Sequence, residues 1–244
     1  MSAIEPAARE GDDGPVEVET YLQLVGGLNY LAQFTRPDIM YSLSRVAQKC
    51  SHPVVSDLRM VHRIFRYLAG TPSYGIRFES GDIILVCHVD ASHNCYDDAS
   101  GHYGYCFSLG ERDGVFYAKS SKLKLTTLSS NESEYVALCE AARDIVWLRR
   151  LLEDLGFPQR QATIVYEDNM SCIEMIQGRS NHKASKHINP KFHFACEQVK
   201  KGKMVVIHKI TKLMIADILT KALSFVSHRS LSSLILNMDA DLND

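Results

Sequence analysis

The chain has no apolar run long enough to cross a bilayer, because charged residues interrupt every hydrophobic stretch well short of the ~20 residues that a spanning helix needs. No membrane partner is expected. Its opening, Glu5-Pro-Ala-Ala-Arg-Glu-Gly-Asp-Asp-Gly14, is acidic and lacks the basic and apolar regions of a secretory leader. The seven cysteines are odd in number and include no C-x-x-C pair. That pattern predicts reduced thiols scattered through a core rather than a disulfide framework, and hence an intracellular protein, cytoplasmic or nuclear. Internal repeats are absent. A net charge of -2 excludes a surface coated throughout for nucleic acid.

What is present is enough apolar material, 45% of 244 residues, to bury the core of one larger domain and a small one. Residues 1–18 are rich in Pro, Gly and acids and read as a disordered tail, and 224–244 as a C-terminal tail. Residues 19–73 read as three amphipathic helices: one carries Leu22, Val25, Leu28 and Leu31, one follows Pro37, and one carries Met60, Ile64 and Leu68. From 74 the period changes. Strand-like runs at 74–79, 83–89, 102–109, 114–119, 162–167 and 203–208 alternate with helical stretches at 131–155, from 169, from 190 and at 214–223. The order predicts an α/β domain over 74–223.

Four acids interrupt these apolar elements. From Glu134, steps of four and three residues pass through Leu138, Ala141, Ile145, Leu148, Leu152 and Leu155, which is one face of a helix, so Glu134 lies on the core-facing stripe. Ser129 and Glu132 form an S-x-x-E start signal, and Gly156 with Pro158 supplies the stop. A carboxylate on a buried stripe is costly unless a cation or hydrogen-bond donors compensate it. Asp90 closes the run Ile83-Ile-Leu-Val-Cys-His-Val89, Asp168 follows Ala162-Thr-Ile-Val-Tyr-Glu167, and Asp217 sits inside Met214-Ile-Ala-Asp-Ile-Leu-Thr-Lys-Ala-Leu223. Taken singly, each also fits a cap or a turn. Together they suit a pair of divalent ions, which need several converging carboxylates.

The segments Gly104-Tyr-Cys-Phe-Ser-Leu-Gly110, Ser120-Ser-Lys122, Leu128-Ser-Ser-Asn-Glu-Ser-Glu-Tyr-Val-Ala-Leu138, Trp147-Leu-Arg-Arg-Leu-Leu152, Asp168-Asn169, Lys186-His-Ile188 and Ala216-Asp-Ile-Leu-Thr-Lys-Ala222 follow one another in a telling order. In this order they resemble the RNase H domain of copia-type LTR retrotransposon Pol polyproteins. Upstream, Tyr21-Leu-Gln-Leu-Val-Gly-Gly-Leu-Asn-Tyr-Leu31, Thr35-Arg-Pro-Asp-Ile39 and Arg66-Tyr-Leu-Ala-Gly-Thr71 look like the end of the reverse transcriptase segment, thumb- or connection-like, of the same polyproteins.

The resemblance implies an RNase H-like mixed five-stranded sheet with flanking helices, preceded by the small helical segment. It implies catalytic, metal-holding roles for Asp90, Glu134, Asp168 and Asp217, with two magnesium or manganese ions. The implied activity is endonucleolytic cleavage of the RNA strand of an RNA–DNA hybrid, with no polymerase activity from this chain alone. Residues expected to touch the hybrid are Ser92, Asn131, Asn169, Met170, Lys186, His187, Lys200, Lys201 and Lys203. Reverse transcriptase or integrase regions of a parent polyprotein are further expected partners.

This chain departs from the family pattern in four places. Met170 stands where the family has glutamine, Asp90-Ala-Ser92 where it has Asp-Ala-Asp, Ile210-Thr-Lys-Leu-Met214 where it has a Pro-Thr-x-x-Gln loop, and Asn189 where it has aspartate. Asn189, followed by Pro190, keeps a helix-starting role, whereas Met170, Met214 and Ser92 favour an alternative that the four intact acids oppose, a catalytically silent remnant acting as a nucleic-acid-binding or scaffold domain.

Charge is unevenly spread: over 183–212 the chain places eight lysines, Lys183, Lys186, Lys191, Lys200, Lys201, Lys203, Lys209 and Lys212, against Glu197 alone. Such a run suits phosphate contact, and equally a solvated helix face. Tyr96-Asp-Asp98 reads as a turn. The irregular spacing of His182, His187, His193 and Cys196 fits no common zinc site.

Overall fold

Strand β1 (Val86–Ser92) is buried over six of its seven positions, the behaviour of a central strand covered on both faces, and the rest of the sheet is built around it. The computed structural model describes residues 13–178 and 193–238. Within them β2 (His102–Ser108) and β3 (Tyr117–Lys122) follow β1 as an antiparallel meander, while β4 (Thr163–Glu167) and β5 (Met204–His208) add in parallel on its other side. The order β3-β2-β1-β4-β5 is the RNase H-like mixed sheet with flanking helices that the sequence predicts.

One sheet face packs under α4 (Ser130–Asp154), α5 (Met170–Ile176) and α6 (Phe194–Lys200). Cys87, Val89, Tyr105, Phe107 and Val165 supply the sheet side of that core, and Leu138, Ala141, Ile145, Leu148 and Leu152 of α4 are buried against them. Each large aliphatic side chain so buried contributes roughly 1.5–3 kcal/mol. Ser129 caps α4 by accepting a hydrogen bond from the Glu132 N–H at 3.2 Å, and the Glu132 carboxylate accepts from the Leu128 N–H at 2.7 Å. That double cap fixes where the helix starts, and so where Glu134 sits. Leu155 falls beyond the helix and is exposed.

The opposite face carries α1 (Val18–Phe34), α2 (Met40–Ala47), α3 (Val55–Ala69) and α7 (Phe225–Leu236). Tyr21, Leu28, Ile39, Leu43 and Ile64 share one core with Cys106 and Ala118 of the sheet and with Leu231, Ile235 and Leu236 of α7. The expected boundary near residue 73 therefore lies inside a continuous core. Two motifs far apart in sequence meet here. Arg36 forms an ion pair with Asp38 at 2.9 Å and donates to the Thr71 carbonyl and hydroxyl, while the Tyr67 hydroxyl donates to Asp38 at 2.6 Å.

The structure corrects several expectations. Residues 13–18 are ordered against the start of α3: Asp13 accepts hydrogen bonds from the Ser56 N–H and hydroxyl, and Val16 N–H donates to Pro53 O. Residues 225–236 are helix α7 rather than tail, because Leu231, Ile235 and Leu236 find apolar partners. The run 74–79 joins no sheet, since Arg77 donates its N–H to Leu236 O and accepts at its carbonyl from Gly114 N–H. Strands β1 and β3 lie about three residues later than their apolar runs suggest. The stretch expected as a short helix over 214–223 forms a 3-10 turn at Ile215–Leu219, just after another at Thr211–Leu213.

Candidate metal centre

Each acid reaches the centre from a different element, so the sheet and its caps decide the geometry. Asp90 is the fifth residue of β1, paired with Gly104 of β2 and 2% exposed. Glu134 lies in the second turn of α4 and is 5% exposed. Asp168 follows β4 directly and is half-buried. One carboxylate oxygen from each of Asp90, Glu134 and Asp168 lies within 4.8 Å of the others, and among the described residues this is the grouping able to hold a metal ion.

Asp217, on the 3-10 turn Ile215–Leu219, is not part of that triad. It is joined to Asp90 through Lys221, whose Nζ is 3.0 Å from Asp217 Oδ1 and 3.7 Å from Asp90 Oδ2. The Thr220 hydroxyl donates to the same Asp90 oxygen. Asp168 Oδ2 accepts from the Thr211 hydroxyl at 2.9 Å. Both threonines come from the segment 210–220.

The electrostatics are those of crowded anions. Burial, with Asp217 and Asp168 nearby and Lys221 opposing, pushes the Asp90 carboxyl up to about 7. Burial and the neighbouring Glu167 and Asp90 raise Glu134 well above the usual glutamate range. Burial raises Asp217 as well, against the pull of Lys221. For Lys221, burial disfavours the charge but Asp90 and Asp217 outweigh it, so the ammonium is held more firmly than usual.

The donor set fits a hard divalent cation. Mg2+, Mn2+ and Ca2+ take oxygen ligands at roughly 2.0–2.6 Å, so two ligands of one ion lie up to about 5 Å apart. Glu134 Oε2 is buried with no hydrogen-bond partner, a carboxyl oxygen for which the protein supplies no donor. A cation there would supply the missing compensation.

Three groups at this centre escape the sequence reading. Glu167, fully buried, has Oε2 without a partner and Oε1 accepting from the Asn169 N–H at 3.0 Å; burial pushes it up to about 8. Its signal was available, since Thr163, Val165 and Glu167 alternate along one face of β4 and are all buried. Lys221 stands four residues after Asp217 in an apolar run, and Thr220 beside it.

The expected nucleic-acid contacts scatter. Ser92 ends β1 and Asn131 lies in the first turn of α4. Asn169 is the N-cap of α5, accepting from the Cys172 N–H at 3.1 Å, and Met170 beside it is exposed. Lys200, Lys201 and Lys203 are exposed around the turn into β5, where Lys203 O accepts from Thr163 N–H. That is the far end of β4 from Asp168, roughly 16 Å away along five residue steps of extended chain. Lys209 and Lys212 instead flank Thr211, on the acidic side. Lys186 and His187 lie outside the described residues, as do His182 and Lys183. His193 is exposed and Cys196 meets the Tyr135 hydroxyl. Asp98 behaves as the turn residue expected, accepting from the Ser100 N–H and hydroxyl and pairing with Lys122.

Gly104 matters to the geometry because a Cβ there would lie 2.5 Å from Leu219 Cβ and 3.0 Å from Thr220 Cγ2. Its missing side chain lets the 215–220 segment sit down on β2 opposite Asp90. Gly104→Ala is expected to cost about 1–3 kcal/mol in urea unfolding, the usual toll of overpacking. It should also weaken Mn2+ binding, because the segment carrying Thr211, Asp217 and Thr220 must shift. A stability within 0.5 kcal/mol of wild type, roughly the noise of a neutral surface change, would contradict that packing role.

No protein-family model matches the chain. It is 35% identical over 217 residues to the Retrovirus-related Pol polyprotein from transposon RE1 of Arabidopsis thaliana, covering 88% of this chain and 15% of that protein. It is 32% identical over 202 residues to the corresponding polyprotein from transposon TNT 1-94 of Nicotiana tabacum, covering 82% of this chain and 15% of that protein. The chain thus spans a small part of the polyproteins it matches. Among solved structures, LC11-RNase H1 isolated from compost aligns at 21% identity over 57% of this chain and 93% of that one, with a TM-score of 0.44.

Proposed function

The chain belongs to the copia-type retrotransposon Pol polyprotein family, as an RNase H-like region of it, and from that premise we propose that it cuts the RNA strand of RNA–DNA hybrids endonucleolytically. The observation that carries the proposal is the convergence of Asp90, Glu134 and Asp168 within 4.8 Å, with a buried Glu134 oxygen that no protein donor meets. A divalent-metal pair, when bound, lowers the pKa of an attacking water and stabilises the leaving 3' oxygen.

In this reading Asp90, Glu134 and Asp168 hold the metal, and Asp217 completes the set. Thr220 and Thr211 fix the carboxylates of Asp90 and Asp168 through their hydroxyls. The double cap at Ser129 and Glu132 keeps Glu134 at the centre. The protein would read hybrid shape and 2'-hydroxyls rather than sequence. Ser92, Asn131 and Met170, each within three residues of one of these acids in sequence, are the candidates for strand contact.

The deciding assay incubates the purified chain with an RNA–DNA hybrid labelled in the RNA strand, with Mg2+ or Mn2+, and with EDTA as control. Metal-dependent internal cuts in the RNA strand alone are expected. A hybrid left intact under both metals would favour the second reading, a silent remnant that keeps the fold. Met170 is the observation on that side: an exposed thioether stands where the family resemblance places an amide able to hydrogen-bond.

A further expectation concerns the turn at the far end of β4. Replacing Lys200, Lys201 and Lys203 together by Gln should weaken hybrid binding. It should also lower the slope of log K against log salt by about 1 per lysine lost, because fewer counterions are released. Unchanged binding and slope would put that turn outside the hybrid's footprint.

A further inference from the structure

The four acids fall into two groups that share Asp90. Asp90, Glu134 and Asp168 form the open triad with its unpartnered Glu134 oxygen. Asp90 and Asp217 are bridged by the Lys221 ammonium, 3.7 Å and 3.0 Å away. A divalent ion on that second pair would need oxygens at roughly 2.0–2.6 Å. It would therefore compete with the ammonium for the same lone pairs and the same space. Two cations cannot occupy that one position between Asp90 and Asp217, because both would need the same carboxylate oxygens in the same space. The lysine is nonetheless removable: its side chain is 37% exposed, and a flexible four-carbon stem carries the charge.

We infer that the Lys221 ammonium is a built-in cation occupying the second metal position, between Asp90 and Asp217. The chain alone then loads one divalent ion at Asp90, Glu134 and Asp168, and a second only when Lys221 leaves. The inference rests on the proposed metal-dependent reading of the same acids. Lys221 acts here as a positioning residue. It neutralises the Asp90–Asp217 pair while no ion is there, and its departure sets the threshold for full metal loading.

The test counts ions on the full chain without nucleic acid, by titrating Mn2+ and following free ion by electron paramagnetic resonance, with circular dichroism to confirm folding. Wild type should take one Mn2+ per chain, with a second at least tenfold weaker. Lys221→Gln should take two, with the second affinity raised at least tenfold, and Asp217→Asn added to it should remove that gain. Lys221→Arg keeps a cation in place and should count like wild type, which separates loss of charge from loss of fold. Glu134→Gln should remove the first ion.

Two ions of similar affinity in wild type, or no gain in Lys221→Gln while Glu134→Gln still abolishes the first ion, would overturn the inference and leave the metal-dependent reading standing. Failure of both wild type and Lys221→Gln to bind any Mn2+ would overturn that reading, and the inference with it.

Discussion

Asp90→Asn is expected to lower the rate of RNA-strand cleavage on the order of a thousandfold while leaving hybrid affinity within about twofold. Metal-held charge at a phosphodiester supplies several kcal/mol of transition-state stabilisation, and each 1.4 kcal/mol is tenfold in rate. Asp90 is the acid on which that stabilisation depends most, because it belongs to both the triad and the Lys221-bridged pair. Affinity should survive because phosphate contacts, not the carboxylates, attract the hybrid. The same variant carries a second expected sign. Without metal it should be at least as stable as wild type, since a neutral amide replaces a buried carboxyl already pushed up to about 7 by burial. Single-turnover cleavage, equilibrium binding and urea unfolding of one preparation give all three readouts. Retention of more than a tenth of wild-type cleavage would remove Asp90 from the chemistry.

The triad was legible in the sequence because each acid interrupts an apolar run whose period is unambiguous. Glu134 sits on a stripe that continues through five buried residues, and Asp90 and Asp168 stand at or beside buried strands. The arrangement of the fourth acid was not legible. Whether Asp217 joins the triad or pairs with a neighbour depends on the 3-10 geometry of 215–219, where i to i+3 hydrogen bonds replace the expected α-helix. Glu167 was overshadowed by Asp168 next to it, although strand alternation already put Glu167 on the buried face.

The described lysines over 183–212 do not form one cluster, for a topological reason. β5 runs between Lys203 and Lys209, so residues six apart in sequence stand at opposite ends of a strand. Helix α7 was hidden by the polar members of its own buried stripe: His228 and Ser232 lie among Leu231 and Ile235, and they are buried because they hydrogen-bond each other and the Asp38 carbonyl. The helical segment 19–73 was readable as helices. The bonds that hold those helices to one another and to α7, through Arg36, Asp38 and Tyr67, join residues far apart in sequence that no local pattern encodes.

Without divalent metal, the chain should lose stability as pH rises from about 6.5 to 8, and millimolar Mg2+ should abolish that loss. In the folded chain, burial holds Asp90 near 7, Glu167 near 8, and Glu134 well above the glutamate range, whereas unfolded carboxyls titrate near 4. A carboxyl whose folded pKa is raised contributes stability that is complete below the unfolded value and is lost as pH climbs through the folded one. Three buried histidines oppose this at lower pH. Burial holds His88 and His102 down to about 3 and His228 to about 4, so the unfolded chain gains protons from them as pH falls below 6.5. Between about 4 and 6.5 the two effects act in opposite directions. Above 6.5 the unfolded histidines shed their remaining protons within about one pH unit, so their opposing effect fades and the carboxyls dominate. The loss there is about 1.4 kcal/mol per pH unit for each proton released on unfolding. In a chain of this size each kcal/mol moves the melting temperature by about 2–4 °C. Mg2+ binds the deprotonated, folded form, so the stabilisation it confers should grow with pH across the same window. Melting curves at pH 6.5, 7.25 and 8, in EDTA and in Mg2+, should diverge progressively, and Asp90→Asn should flatten the EDTA series. Parallel curves in the two series would mean that the acids at this centre neither hold protons in the folded chain nor exchange them for metal.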